Sequence, residues 1–468
     1  MARRHRVSAA AAVLATALAC VACTGDKPPP PAGTPIDGAT GAAPGMAWTL
    51  TPADAGVPGG QFRDPTAGAD TDSMESGSIT DGSTVVTLVG HLDGRDYDDA
   101  ALVGFDIADG AVRWRVPAED ILGCGAQFVD GRLVCYRGVG GSGSEILTVD
   151  GRSGQSRTYD AGFPIIELTT ADNHVYTSHT AGDSGRTTVS RGTADDLDAD
   201  WSVPFESANS QSASTLRTDN GIGLVEQARH VYAFDLDTGD SLWSRTAPDC
   251  ARSAAASRSG AVRLVRTDCS DPSAVTGSEI VDTDGNVLAA TDSATIQRPT
   301  FDSPAESSPL LLGTGGYRPA EPDPVWTNDA LVWALPADIS DSATRFLATN
   351  GLAYAVVGSV ALLRDTDAAT ESAIDLDTGE LLWSRDSGRS AQVGALDGSV
   401  ATLFGPEVLE GVDVATGNIV WDIPTTAFDD EGIDAQSRPM LDRVGTDSIY
   451  TRALSISVLR DISVPEAG

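Results

Sequence analysis

From Met46 onward the chain reads as short apolar runs separated by clusters of Gly, Asp, Asn and Ser. No stretch of this body carries apolar residues at the i, i+3, i+4 spacing of an amphipathic helix. Runs of about four to eight residues bounded by turn formers predict β-strands joined by hairpins. The segments AQFVDGRLVCY, TTADNHVYTSH, LATNGLAYAVV and GALDGSVATLF each show two such runs around a turn.

Four decapeptides align without gaps: FDIADGAVRW (Phe105 to Trp114), FDLDTGDSLW (Phe234 to Trp243), IDLDTGELLW (Ile374 to Trp383) and VDVATGNIVW (Val412 to Trp421). Each places Gly four residues after Asp and Trp four residues after Gly. The frame is Asp106/Gly110/Trp114, Asp235/Gly239/Trp243, Asp375/Gly379/Trp383 and Asp413/Gly417/Trp421. An Asp ending a strand can accept backbone N–H groups of the turn that follows. The Gly supplies a positive φ, and the next strand alternates its faces up to the Trp. The first two intervals between copies divide by three into units of about 43 and 47 residues, which is the length of a four-stranded repeat. Fainter copies fill the gaps: Val149 to Gly154, Val281 to Leu288, and segments ending at Trp201 and Trp333.

These segments resemble the PQQ-like repeat, in which blades end in a D-x-x-T-G-x-x-x-W-type segment. The resemblance implies an all-β propeller of four-stranded antiparallel blades. Counting gives eight blades, with seven or nine open; a weak unit within Ala294 to Ala337 is treated as an insertion. Ala47 to Leu50 reads as a lone last strand, and Met440 to Val464 as a blade lacking one. Joining the two would close the ring and remove its free edges. The family includes quinoprotein dehydrogenases as well as non-catalytic lipoproteins.

The N-terminal residues change the compartment. Arg3, Arg4 and Arg6 precede an uncharged, Ala-rich stretch from Val7 to Ala22, too short for a confident membrane span. Residues 1–22 therefore read as a lipoprotein signal peptide with Cys23 as the acylated residue; Cys20 is the other candidate. Residues 23–45, rich in Pro and Gly, read as a tether, and 46–468 as the propeller.

Composition narrows the partners. With 67 acidic against 31 basic residues and a net charge of −36, a nucleic-acid surface is excluded, and membrane contact is expected through the lipid alone. Lys27 is the only lysine, which reads as the coding bias of a high-GC genome. The anchor is then expected on the outer face of the cytoplasmic membrane.

Four cysteines remain in the body, and export permits disulfides. Cys124 and Cys135 flank the Asp130-Gly131 turn, one diagonal off a direct pair. A two-residue turn at Ser259-Gly260 would set Cys250 opposite Cys269. Zinc is the rival reading, but no C-x-x-C or neighbouring His pair supports it.

Other candidate chemistry has a structural reading beside it. Gly182-Asp183-Ser184-Gly185 matches the sequence around a protease serine, with His91 or His174 as the base, yet it lies between two strand-like runs. Asp282-x-Asp284-Gly285-Asn286 and the cluster from Asp93 to Asp99 suggest calcium, but the first sits on a repeat turn and the second lacks the Gly and Glu of an EF-hand. His174 and His179 are five apart and should point to opposite faces of a strand. Among quinoprotein dehydrogenases the resemblance implies adjacent cysteines and a Glu/Asn/Asp calcium site. No two cysteines are adjacent here. The expectation is a monomeric binding scaffold for an envelope protein or polymer, with no cofactor, metal or catalytic residue. The alternatives are a quinone-dependent dehydrogenase and a carbohydrate or solute sensor.

Overall fold

The structure is a computed structural model. It describes residues 32–462 apart from internal stretches, the longest being 206–214, 292–301, 329–351 and 429–439. The described residues are almost entirely β, with one short 3-10 turn at Thr425–Ala427. They form nine sheets that follow one another along the chain as the blades of a propeller.

Blade one runs through Gln61–Arg63, Thr84–Asp93, Asp96–Asp106 and Val112–Pro117, each strand antiparallel to the next. Blades two to five repeat that order, from Ile121–Cys124 to Val287–Thr291. Blade six has three strands, Leu310–Leu312, Gly315–Tyr317 and Trp326–Thr327. Blade seven holds Leu352–Gly358, Val360–Asp365, Thr370–Asp375 and Leu381–Asp386, with Asp302–Pro304 added in parallel on its first strand. Blade eight ends in Ile419–Pro424.

The ring closes as the sequence predicts. Met440–Val444, Asp447–Thr451 and Ile456–Arg460 make three strands of blade nine, and Gly45–Leu50 supplies the fourth. The count of eight is corrected to nine. The segment expected to be an insertion contributes a sheet of its own, because Trp326 does there what the repeat tryptophans do elsewhere. The expected copy at Trp333 lies outside the described residues.

Part of the expected tether is also corrected. Thr34 and Met46 exchange backbone hydrogen bonds, and Ile36, Ala39 and Ala43 pack on the apolar cluster of Leu409, Trp421, Phe428 and Tyr450 between blades eight and nine. Thr40–Gly41 adds a fifth strand to blade eight, with Thr40 opposite Asp422 and Gly41 opposite Trp421. Gly41 has φ +64°, and a Cβ there would strike the Val420 carbonyl, so only glycine allows this approach. A single large apolar residue, Ile36, and well-placed glycines are enough to dock a segment whose composition reads as a spacer.

Each core lies between neighbouring blades. Val85, Val103 and Phe105 of blade one meet Trp48, Ile449 and Val458 of blade nine, and Leu224, Ala233 and Trp243 of blade four meet Val262 and Leu264 of blade five. Stacking sheets face to face explains the apolar alternation on both sides of the strands.

Candidate functional site

The repeat turn is built as its residues dictate. Asp106 Oδ1 accepts from Ala108 N at 2.8 Å, while the Asp106 carbonyl accepts from Gly110 N at 2.8 Å. Asp235, Asp375 and Asp413 cap their turns in the same way. Gly110, Gly239, Gly379 and Gly417 have φ of +74°, +75°, +74° and +72°.

Three of the four repeat tryptophans, and Trp48, Trp201 and Trp326 beside them, then reach out of their own blade. Trp48 covers Gly110, Trp114 covers Gly154, Trp201 covers Gly239, Trp243 covers Gly285, Trp326 covers Gly379 and Trp383 covers Gly417. The indole N–H donates to the carbonyl one residue beyond the capping Asp of the next blade. These bonds are Trp48 to Ile107 (2.9 Å), Trp114 to Gly151 (2.8 Å), Trp326 to Leu376 (2.5 Å) and Trp383 to Val414 (2.8 Å). Two positions depart from this. The turn at Asp282 is one residue shorter, and Trp243 Nε1 has no partner among the described residues. At blade four the Leu236 carbonyl accepts from Tyr176 instead, and Trp201 Nε1 has no partner among the described residues.

The sequence frame missed a companion position. Across the strand, the Trp of a repeat copy lies opposite a small residue: Gly104 for Trp114, Ala233 for Trp243, Ala373 for Trp383 and Gly411 for Trp421. A β-bulge follows each of them. Only a small side chain leaves room for the ring to lie flat on its own blade while reaching the next. The signal stood one residue upstream of the aligned frame.

A second inter-blade contact also recurs. Arg245, two residues after Trp243, pairs with Glu279 of blade five at 2.8 Å. Arg385, two residues after Trp383, pairs with Glu410 of blade eight at 3.0 Å and with the fully buried Glu371 of its own blade at 2.7 Å. Burial opposes the Arg385 charge, and the two carboxylates outweigh it, so its pKa is raised.

The first strands of neighbouring blades approach one another, as Ile165–Ala171 does Thr215–Asp219 and Gln392–Asp397 does Met440–Val444. Carboxylates collect at these strands. Asp442, in blade nine, is pushed up to about 6 by burial and by the charge of Asp64, against a long hydrogen bond from Ser78 (3.5 Å). Burial raises Glu167, which accepts from the Leu216 N–H. At the edge of blade one a cleft of about 220 Å³ is lined by Pro58, His91, Asp99, Arg115 and Glu119.

The other sequence candidates fall apart in space or lie outside the described residues. Cys124 and Cys135 stand directly opposite and are joined, S–S 2.03 Å, both buried. An irregularity between Ile121 and Gly123 brings the strands into that register. Cys250 is opposite Thr267, two residues short of the expected alignment; a bulge between Ser253 and Ala256 accompanies the shift. Cys269 lies outside the described residues, as do Cys23 and Ser184. His91 contacts Asp99 in blade one, whereas His174 contacts Arg191 and Asp200 in blade three. His179 stacks on Phe163, and burial lowers its pKa. Asp282 accepts from Asp284 N and Asn286 N, which is the turn reading of that segment.

Among the described residues, the groups that a quinone and calcium would need are not assembled: no three His, Cys, Asp or Glu side chains are placed to hold a metal ion. The Cys124–Cys135 bridge spans 11 positions and is buried in a strand pair. Of the acidic pair at the first strands, Asp64 Oδ1 already accepts from Thr66 N and Oγ1 at 2.8 Å each.

Comparison with known proteins places these features among relatives. Residues 98–299 match the family profile described as outer membrane protein assembly factor BamB. Among curated proteins there is no sequence match. BamB from Moraxella catarrhalis aligns at 11% identity over 89% of this chain and 99% of its own, TM-score 0.42. Quinohemoprotein alcohol dehydrogenase from Comamonas testosteroni aligns at 10% identity over 91% and 78%, TM-score 0.46.

Proposed function

From the repeat and the profile match over residues 98–299 we propose that the chain is a PQQ-like repeat propeller that serves as a non-catalytic binding scaffold of the cell envelope. In this reading it is exported, acylated at Cys23 and held at the outer face of the cytoplasmic membrane. Its ring then engages a protein partner or an envelope polymer.

One observation carries the proposal. The chemistry-bearing side chains of the repeat are occupied in building blades and joining them: the Asp carboxylates cap turns, indoles such as Trp383 bind the next blade, and Arg245 and Arg385 bridge to Glu279 and Glu410. Such residues rigidify a platform. The acidic charge supports a neutral or basic partner, because like-charged surfaces repel.

Cross-linking in intact envelopes, followed by capture of the full chain, tests the reading. The expected result is one or a few stoichiometric partners retained through washing. Reconstitution with calcium and quinone tests the opposite: a stable quinone spectrum with dye reduction would overturn the scaffold. Labelled palmitate should enter the wild-type chain and Cys20→Ala but not Cys23→Ala.

A further inference from the structure

We propose that the outer strand of blade seven, Leu381–Asp386, is a docking edge for an extended, basic, aliphatic segment of a partner protein, taken up as a fifth strand. The proposal rests on the scaffold reading and specifies the surface and chemistry of the partner.

Blade eight provides the internal precedent. Its outer strand, Ile419–Pro424, is paired by Thr40–Gly41 of the same chain, antiparallel and centred on Trp421. Thr40 Oγ1 donates to Asp422 at 2.6 Å, and Ala42 N to the Val420 carbonyl at 3.4 Å. The equivalent strand of blade seven carries Trp383 in the same repeat position and ends its sheet with no further strand among the described residues. An unpaired edge presents a row of N–H and C=O groups that an extended peptide satisfies.

The side chains select the occupant. Leu381 is 56% exposed and Leu382 41%, two large aliphatic residues in succession, and Ile419 of blade eight is 50% exposed. Leu381 is the most exposed large apolar residue among those described. Around them Asp377, Glu380 and Asp386 are exposed. Arg385 is drawn inward to Glu371 and Glu410, and Arg318 reaches Asp377 only at 4.0 Å. The edge is therefore aliphatic with an acidic margin, and its complement is aliphatic with basic flanks. A second copy of this chain carries the same net charge of −36 and would be repelled. An anionic lipid surface would be repelled for the same reason.

The test uses the full chain and fluorescent decapeptides read by anisotropy. A peptide alternating Lys and Val should bind, and added salt should weaken it. Its Glu/Val counterpart, and a Lys/Val peptide with N-methylated amides, should bind about tenfold more weakly or worse, because charge and ladder hydrogen bonds are removed in turn. Leu381→Lys/Leu382→Lys should weaken the Lys/Val peptide about tenfold with an unchanged melting temperature, since both positions face solvent. Three results would overturn the proposal: equal binding by the double variant, no binding of the Lys/Val peptide, or self-association or anionic-vesicle binding lost specifically in that variant. A double variant that loses the peptide yet still captures an envelope partner places that partner elsewhere and overturns the edge while leaving the scaffold. Quinone-dependent dye reduction would remove the scaffold itself.

Discussion

Trp383 of blade seven lies over Gly417 of blade eight, its Cδ2 only 2.5 Å from where a Cβ on that glycine would stand, and its indole N–H donates to the Val414 carbonyl at 2.8 Å. One residue thus meets a turn glycine and a turn carbonyl of its neighbour. The blades are joined side chain to backbone, and the joint tolerates little change on the backbone side.

Gly417→Ala should therefore cost about 2–4 kcal/mol, combining a strained φ of +72° with displacement of the indole. Gly82 shares the conformation, φ +85°, but a Cβ there meets nothing within 4 Å. Gly82→Ala should cost only about 1–2 kcal/mol. Urea unfolding of the two variants checks the difference; equal losses would show that the ring contact adds nothing to backbone strain.

The tryptophans are not equal. Trp114 and Trp243 are 7% and 6% exposed, so burial is matched, but among the described residues only Trp114 has a partner for its N–H. Trp114→Phe should destabilise by about 1 kcal/mol more than Trp243→Phe, the net worth of one hydrogen bond plus the orphaned Gly151 carbonyl. Chemical denaturation of both variants reads this directly.

Cys124 and Cys135 are 3% and 0% exposed. Mild reductant should leave the folded protein oxidised, as counted by thiol titration, and cleave the bridge once denaturant is added. Replacing both by Ala should lower stability by about 2–3 kcal/mol through the loss of a short closed loop.

Asp442 makes stability depend on pH in an unusual direction. Its folded pKa, about 6, lies above the ordinary aspartate value of 3.8, because burial and then Asp64 disfavour the charge. The folded state holds the proton longer than the unfolded one, so this group's contribution is full below the unfolded pKa and is lost as pH rises through about 6. Asp442→Asn should raise stability relative to wild type at pH 7 by up to about 3 kcal/mol, and by much less at pH 4. Urea midpoints from pH 4 to 7 test it; a pH-independent offset would refute the assignment.

The repeat was legible because its residues answer local demands. A turn needs an acceptor at Asp106 and a positive φ at Gly110, and these are written four residues apart. Trp48 illustrates the boundary. Its strand was visible as an orphan near the N-terminus, and its pairing with Ile456–Arg460 follows from the need to close an edge. Cys250 shows the opposite case, since its register passes through a bulge between Ser253 and Ala256 that no local signal announces. Blade six was hidden for a related reason: its three strands are two or three residues long, too short to show alternation.

By itself the sequence determined the all-β class, the four-stranded unit, the capped turns and the terminal strand that closes the ring, because each depends on residues close in the chain or on a repeated spacing. Tertiary structure decided the number of blades, the docking of residues 32–45, the small residues beneath the indoles and, among the described residues, the place of Leu381–Asp386 as the last strand of its sheet. Those depend on contacts beyond the local turn, 31 to 59 positions apart where an indole reaches the next blade and 382 apart where Thr40 meets Asp422, and there steric fit and paired charge, not local propensity, select the arrangement.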